Sequence, residues 1–269
     1  MKYLDENETY IDPVDGLRHC KVCGEVRQTV CMGQVVGCAC SCKQKEIAER
    51  DAKEKQLKDK LYIRELKRVS LIGTKFKDVS FENTETDHSA KFKEVYNRCI
   101  KYCQIADTAL KQGIGIYLYG DKGTGKSRLT ACIANSLLEQ GHSTLYTNFD
   151  EISKYIRNSY SNHSMDSELE FLQKLDDVEF LILDDFGTEK VAKGNQDLWL
   201  QEKVFGVINR RYNYKKPVII TSNYSLRQLI DDRGVADKTV DRIAEMCEVI
   251  KLEGSTYRMM LAKARPKLF

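Results

Sequence analysis

From about residue 70 onward, short apolar runs alternate with longer amphipathic stretches. The runs IYLYG, STLYT, FLILDD, PVIITSN and EVIKLE predict five β-strands that begin at residues 116, 143, 180, 217 and 248. The predicted helices between them cover residues 89–111, 126–140 and 197–214, with short helices up to about residue 246. This alternation is typical of βαβ units and a parallel sheet.

The central runs IYLY, FLIL and VIIT lack the polar-apolar alternation of a strand with one face in solvent. Strands that are covered by helices on both faces have this composition. We therefore predict an α/β fold whose five-stranded parallel sheet is doubly wound and flanked by helices.

The first 69 residues have a different character. Residues 1–42 carry six of the ten cysteines, and residues 43–69 consist almost wholly of good helix formers. Between residues 43 and 68, Lys and Arg outnumber the acids ten to six, which suits a solvated helix or a helix that faces nucleic acid or a partner. We predict a Cys-rich module at 1–42, a charged linker helix at 43–69 and an α/β domain at 70–269.

Composition narrows the class of protein. Of 269 residues, 42% are hydrophobic, 31% are charged and only 3 are proline, as in an ordinary globular protein. The acidic start MKYLDENETYIDP lacks the apolar region of a signal peptide, and no run approaches the ~18 apolar residues of a membrane span. We expect a cytoplasmic protein with reduced or metal-bound cysteines. A formal net charge of +3 says little about nucleic acid.

Residues 120–127, GDKGTGKS, lie between a predicted strand and a predicted helix. Glycines let backbone N–H groups turn toward an anion, and the N-terminus of the next helix adds its dipole. In this pattern Lys126 is expected to reach the β- and γ-phosphates and Ser127 to ligate Mg²⁺. An ordinary Gly-rich turn is the alternative. The predicted nucleotide-binding residues are Gly120, Asp121, Lys122, Gly123, Thr124, Gly125, Lys126, Ser127 and Arg128.

Polar side chains end two further predicted strands. Asp184 and Asp185 follow FLIL, where Asp184 is expected to hold the metal through water and Asp185 to act as a general base toward the attacking water. Asn223 ends VIITSN and is expected near the γ-phosphate or the water. Taken singly, two solvated acids at a strand end or an Asn strand cap are the alternatives.

The cysteines at the N-terminus have metal-ligand spacing. Cys20 and Cys23 form one close pair, Cys38, Cys40 and Cys42 form a second group, and Cys31 lies between them. Four thiolates suffice for structural Zn²⁺, and a ~40-residue segment with few large apolar residues needs such a contribution to fold. An iron–sulfur cluster and scattered free thiols are the alternatives.

The glycine-rich loop, the strand ending in two acids and the strand ending in TSN together resemble the AAA+ family. The stretches LILDDFGTE, EKVFGVINRRYNYKKPVIITSN and DRIAEMCEVIKLEGSTYR are similar to replicative helicase loaders of the DnaC and DnaI kind, over roughly residues 90–260. By this resemblance Lys126 and Ser127 are the Walker A residues, Asp184 and Asp185 the Walker B pair, and Asn223 the sensor-1 residue.

The resemblance also implies roles for two arginines. Arg242 of DRIAEM matches the arginine finger, which acts on the γ-phosphate of a neighbouring subunit and so implies an oligomer. Arg258 resembles a sensor-2 arginine, but the family's helical lid needs more residues than follow Glu253, so we expect the lid to be absent. Both could instead be surface arginines, and Arg210 and Arg211 are expected on a basic helix face.

Loader N-termini of the form CxxC followed by CxCxK favour four zinc ligands here. These are Cys20, Cys23, Cys40 and Cys42, with Cys38, Cys31 and His19 as alternates. In loaders this N-terminal part docks on the helicase. Helicase contact is therefore expected for residues 1–42, and direct DNA contact is the second choice.

Loaders bind single-stranded DNA between the second and third strands. The candidate DNA contacts are Phe149, Lys154, Tyr155 and Arg157, because rings can stack on bases while cations follow phosphates. An amphipathic helix that packs Ile152, Tyr155 and Ile156 into the core is the alternative.

The resemblance thus implies an ATPase with ATP, Mg²⁺ and Zn²⁺ as cofactors. It would bind a hexameric DnaB-like helicase and single-stranded DNA and deliver the helicase when replication begins. One alternative is an IstB-like transposition helper that works on duplex DNA, although we do not associate the cysteine cluster with such proteins. Another is a binding module in which ATP acts only as a switch.

Overall fold

A computed structural model describes residues 7–86, 89–148, 151–152, 154, 165–187 and 195–254 of the chain. The chain divides into two compact units, one up to Tyr62 and one from Ile63 onward. This boundary falls inside one continuous helix, α1, which runs over Ser41–Val69.

Two short hairpins make up the strands of the first unit. Strand β1 (Thr9–Ile11) pairs antiparallel with β2 (Arg18–Cys20), and β3 (Gln28–Cys31) pairs antiparallel with β4 (Gln34–Gly37). A bridge between His19 and Val26 adjoins them. Many large apolar side chains described in this unit are exposed, among them Val14, Val22, Val30, Met32 and Val35. The unit therefore gains little stability from apolar burial.

The second unit contains the predicted five-stranded parallel sheet. Its strands are β5 (Gly115–Tyr119), β6 (Thr144–Asn148), β7 (Phe180–Phe186), β8 (Val218–Ser222) and β9 (Cys247–Lys251). Their spatial order is β6-β7-β8-β5-β9, and every neighbouring pair is parallel. The carboxyl ends of β7, β8 and β5 therefore lie side by side at one edge of the sheet.

Helices connect and flank these strands. They are α2 (Ala90–Gln104), α3 (Ala106–Gln112), α4 (Lys126–Glu139), α5 (Met165–Asp177), α6 (Asn195–Asn213), α7 (Leu226–Asp231) and α8 (Asp237–Met246). The single helix predicted at 89–111 is divided at Ile105, whose backbone leaves the helical conformation. Ser89 caps the first piece, since its hydroxyl accepts a hydrogen bond from the N–H of Phe92.

Both faces of the sheet are buried. Ile116 and Leu118 of β5 face a core built with α2 and α4, whereas Tyr117 faces a second core built with α5, α6 and α8. This arrangement explains the absence of polar alternation in the central strands. Among the helices that the structure describes, none has both the length and the apolar composition needed to cross a bilayer.

The expectation that Arg210 and Arg211 share a basic helix face is wrong for Arg211. Its side chain is 1% exposed and donates hydrogen bonds to the carbonyl oxygens of Leu175, Asp176, Val178, Glu179 and Pro217. Burial lowers the pKa of Arg211 to about 10. The guanidinium thus satisfies carbonyls at the end of α5 and the starts of β7 and β8, while Arg210 pairs with Asp176 at 2.6 Å.

Candidate functional site

The glycine-rich loop joins β5 to α4, and its backbone requires glycine at particular positions. Gly120, Gly123 and Gly125 all have positive φ angles, of 149°, 85° and 101°. A Cβ atom at Gly120 would lie 2.1 Å from the carbonyl oxygen of Leu252, so no larger residue fits there without a shift. The conformation that turns N–H groups toward an anion is therefore built into this loop.

Lys126, the first residue of α4, lies against the loop. Its ammonium donates to the carbonyl oxygens of Gly120 and Asp121, at 2.8 and 2.9 Å, and to Oδ1 of Asn223 at 2.9 Å. The side chain is only 5% exposed. Two residues predicted from separate strands, Lys126 and Asn223, are thus brought into direct contact.

A β-bulge separates the environments of Asp184 and Asp185. The pairing of β7 with β8 runs through Leu183 and resumes at Phe186, with a register shift between them. Asp184 is buried at 8% exposure, whereas Asp185 is exposed and has a left-handed backbone with φ of 56°. The extra residue of a bulge re-aims side chains in this way.

Hydroxyl groups from both neighbouring strands hold the Asp184 carboxylate. Tyr146 of β6 donates to Oδ2 at 2.7 Å, and Thr221 of β8 donates to Oδ1. The hydroxyl oxygen of Thr221 also accepts a hydrogen bond from the backbone N–H of Asp185 at 2.9 Å. Burial, together with the nearby charge of Asp184, raises the pKa of Tyr146 well above its usual range. Tyr146 therefore stays a neutral donor.

Sequence reasoning missed Tyr146 and Thr221. Both lie in runs that were predicted as strands, but strand pairing across the sheet is needed to see that each faces Asp184. The tyrosine within STLYT and the threonine within VIITSN, polar atoms in otherwise apolar runs, were the available signal.

The other predicted nucleotide-site residues lie in varied surroundings. Asp121 and Lys122 are exposed, and Ser127 is half-buried in the first turn of α4. The guanidinium of Arg128 donates to Thr84 Oγ1 at 3.0 Å and to the carbonyl oxygen of Asn83 at 2.6 Å. Arg128 thus ties α4 to the segment before α2.

Arg242 lies on α8, where its guanidinium carbon is 5.7 Å from the ring centre of Tyr212. The hydroxyl of Tyr212 donates to Glu245 at 2.6 Å. Arg242 is half-buried, so part of its surface remains open to a partner. Arg258, the predicted sensor-2 residue, lies outside the described residues.

The predicted DNA contacts lie in the segment that follows β6. Phe149, Tyr155 and Arg157 lie outside the described residues. Lys154 is exposed and pairs with Glu151 at 3.0 Å, and Ile152 is buried, as the helical alternative for this stretch requires.

The four cysteines favoured as metal ligands come together in the first unit. Cys20 ends β2, Cys23 follows in the next turn, and Cys40 and Cys42 stand at the start of α1. Their sulfur atoms all lie within 4.8 Å of one another, with the Cys40–Cys42 and Cys20–Cys42 pairs at 3.2 and 3.5 Å. Tetrahedral zinc with bonds of ~2.3 Å needs sulfurs about 3.8 Å apart, so the donor set fits this metal.

The alternate ligands, Cys31, Cys38 and His19, lie outside this four-cysteine cluster. Cys31 is exposed on the β3–β4 hairpin, and the Cys38 thiol donates to the carbonyl oxygen of Val26 at 3.5 Å. The ring nitrogens of His19 are occupied by Asp15 Oδ2 at 2.8 Å and the carbonyl oxygen of Gly24 at 2.7 Å.

The backbone around the first cysteine pair favours a thiolate. The N–H groups of Cys23 and Val22 donate to the Cys20 sulfur and lower its pKa to about 6. Hydrogen bonds with the sulfurs of Cys40 and Cys20 raise the pKa of Cys42. Because metal binds the deprotonated form, these N–H groups favour the state in which Cys20 can act as a ligand.

Comparison with known proteins gives a family and several relatives. The family model described as "IstB-like ATP binding protein" matches residues 41–264, more than half of the chain. The replicative helicase loader DnaI of Bacillus subtilis is 26% identical over 232 residues, covering 81% of this chain and 67% of DnaI. The replicative helicase loader DnaC of Escherichia coli is 28% identical over 124 residues, covering 46% of this chain and 47% of DnaC.

Solved structures share the fold. A crystal structure of the DnaC helicase loader superposes with a TM-score of 0.57 and 20% identity, covering 67% of this chain and all of that one. This likeness concerns the fold alone. The chain spans about two thirds of the length of DnaI and about half of DnaC.

Proposed function

Because the chain belongs to the family of IstB-like ATP-binding proteins and is an AAA+ ATPase of that kind, we propose that it loads a replicative helicase onto DNA. In this proposal the chain binds a hexameric DnaB-like helicase and single-stranded DNA, and nucleotide hydrolysis times the release. The observation that carries it is the joint presence of two sites: a nucleotide site at the ends of β5, β7 and β8, and a four-cysteine cluster that lies largely ahead of the family match.

At the nucleotide site, each residue has a distinct role. Lys126 and the loop N–H groups would bind the β- and γ-phosphates, Ser127 would ligate Mg²⁺, and Asp184 would hold the metal through water. Asp185, exposed beside the buried Asp184, accepts a proton from the attacking water. Asn223, already bonded to Lys126, orients the γ-phosphate or the water. Bound ATP would supply the phosphoryl group, and bound Mg²⁺ would offset its negative charge.

Arg242 completes the site of a neighbouring subunit in this proposal. Its half-buried position over Tyr212 leaves donor groups for a γ-phosphate across an interface. This role of Arg242 requires that the protein self-associates through the surface of α8 that carries it. Single-stranded DNA binding by the segment that contains Lys154 belongs to the same proposal and is supported by the exposed cation there.

The first unit would hold Zn²⁺ through Cys20, Cys23, Cys40 and Cys42 and contact the helicase. Its β3–β4 hairpin exposes Val30 (69%), Met32 (100%) and Val35 (60%). Exposed apolar groups on a small module are typical of protein contacts rather than of phosphate binding. We therefore assign the hairpin to the helicase.

A transposition helper is the second candidate, favoured by the family's IstB-like description. Three of the four clustered cysteines, Cys20, Cys23 and Cys40, precede the matched residues 41–264. The cluster is thus an addition to the family's ATPase core. The match to DnaI covers 81% of this chain, which supports the loader.

The deciding experiment is capture of purified DnaB-like helicase, from the cell or phage that encodes the chain, by the full-length protein with ATP, ADP or no nucleotide. Val30→Ser combined with Val35→Ser should abolish capture without loss of zinc, because it removes the exposed apolar contacts. Val14→Ser, the same kind of change at an exposed valine in the turn between β1 and β2, is the control. Failure of the wild-type protein to capture helicase in every nucleotide state would refute the loader.

ATP turnover separates the two candidates. A loader should hydrolyse ATP faster with single-stranded DNA. Stimulation by duplex DNA and a transposase, with no response to helicase or single strands, would instead establish the transposition helper.

A further inference from the structure

Arg27 is a buried cation in a unit with very little apolar core. Its side chain is 1% exposed, as deeply buried as that of any described residue in the first unit. Removing a guanidinium from water costs several kcal/mol unless negative charge and hydrogen-bond acceptors replace the water. The surroundings of Arg27 must therefore supply both.

Few ordinary acceptors surround this guanidinium. Nε donates to the carbonyl oxygen of Cys38 at 3.0 Å, and Nη2 lies 3.6 Å from a carboxylate oxygen of the half-exposed Glu8. Nη1 points to the sulfur of Cys40 at 3.8 Å, within hydrogen-bond distance for sulfur. The other negative charge and hydrogen-bond acceptors around the Arg27 guanidinium therefore come from the cysteine cluster.

The backbone fixes this position from two sides. The N–H of Arg27 donates to the carbonyl oxygen of Arg18 at 2.7 Å, and its own carbonyl oxygen accepts from the N–H of Cys38 at 2.8 Å. One bond reaches β2, which ends at Cys20, and the other reaches the segment that leads to Cys40. The guanidinium is thus anchored next to one strand and one loop segment that lead to two of the four cysteines.

We propose that Arg27 is a positioning residue for the metal site, donating to the Cys40 thiolate and offsetting the negative charge of the cluster. This inference depends on the proposed zinc site. Four thiolates around one Zn²⁺ carry a surplus of two negative charges. A buried cation beside them reduces their mutual repulsion and orients one sulfur, as outer-shell partners of metal ligands do.

The chain offers a matched control. Arg18 belongs to the same unit and carries the same charge, but its guanidinium donates to the hydroxyl of Thr9 at 3.3 Å. Arg27→Met and Arg18→Met therefore remove the same charge at different places. Arg27→Lys keeps the charge and loses the planar set of donors.

The test measures zinc release from the full chain to a chelating indicator. We expect Arg27→Met to release zinc about 10 to 100 times faster than the wild type, Arg27→Lys to be intermediate, and Arg18→Met to stay within about twofold. Equal rates for Arg27→Met and the wild type would overturn the proposal, and so would equal acceleration by Arg18→Met. Wild-type protein without zinc by metal analysis would refute the zinc site itself.

A second measurement separates positioning from a purely structural role. Zinc-loaded Arg27→Lys is treated with an alkylating reagent, and mass spectrometry reports modification at each cysteine. Loss of the hydrogen bond to Cys40 should raise alkylation of Cys40 above that of Cys23. Uniform acceleration at all four cysteines means general loosening of the unit and would contradict the proposal. This comparison also serves if Arg27→Met fails to fold.

Discussion

At the scale of single residues, one inserted residue gives two adjacent acids different chemistry. Asp184 is buried and receives hydrogen bonds from Tyr146 and Thr221, so it is held in one orientation. Asp185 is exposed with φ of 56°, a conformation that Asp and Asn tolerate better than most residues. A fixed carboxylate suits metal coordination, whereas an accessible one suits proton transfer.

Asp185→Asn should separate ATP binding from hydrolysis. Asn keeps the size of the side chain and accepts the left-handed backbone, so the fold and nucleotide affinity should change little. Without the carboxylate the attacking water loses its base, and we expect turnover to fall by about 10² or more. Equilibrium binding of a fluorescent ATP analogue and steady-state phosphate release measure the two effects. Unchanged phosphate release would show that Asp185 is not the base.

Tyr146→Phe should impair the metal-dependent step. The change removes one donor to the Asp184 carboxylate, a charge-assisted hydrogen bond that contributes about 1.5–3 kcal/mol, and leaves the ring in place. We expect a higher Mg²⁺ concentration for half-maximal ATPase activity together with a lower melting temperature. The measurement is a Mg²⁺ titration of phosphate release.

Tyr102→Phe is the control for that experiment. Tyr102 is equally buried at 5% exposure, lies in the same core, and donates to the carbonyl oxygen of Ile114 at 2.8 Å. It should lower stability without changing the Mg²⁺ requirement. If both variants shift the Mg²⁺ titration alike, Tyr146 acts only through stability.

At the scale of helices and strands, the sequence predicts an element where its local pattern of apolar and polar residues determines that element. The five strands and their parallel arrangement were predicted because apolar runs bounded by helices leave few other topologies. Ile105, which ends α2, lies in a stretch without Gly or Pro, so no helix-breaking residue marked the division of helix 89–111. The prediction put Arg211 on an exposed helix face for a related reason. Most of the carbonyl oxygens that it binds belong to α5 and to the segment before β7, which are distant in the sequence.

Helix α6 depends on Arg211 more than on Arg210. Arg211→Met should lower the free energy of unfolding by roughly 3 kcal/mol or more, because the buried carbonyls at the end of α5 and the start of β8 lose their donors. Arg210→Met removes an ion pair whose arginine is 44% exposed and should cost less than about 1 kcal/mol. Urea denaturation of both variants gives the comparison, and equal losses would contradict the assigned role of Arg211.

At the scale of the whole molecule, the two units draw on different sources of stability. The second unit has two apolar cores, one on each face of its sheet. The first unit exposes many of its large apolar side chains and brings together four sulfurs and a buried guanidinium. Metal binding on the order of 10–16 kcal/mol would replace the missing apolar term there.

Chelation should therefore unfold one unit and spare the other. After removal of zinc, we expect amide protection to be lost over β2 to β4 and helicase capture to stop, because the free energy of metal binding no longer stabilises the folded unit. Protection in β5, β7 and β8, and ATP binding, should persist, since the apolar cores are independent of metal. Hydrogen exchange read by mass spectrometry follows both units in one sample.

Cys40→Ser should reproduce the effect of chelation, while Cys31→Ser, at an exposed cysteine outside the cluster, should not. Retained protection of β2 to β4 in the metal-free protein would show that the first unit folds without zinc.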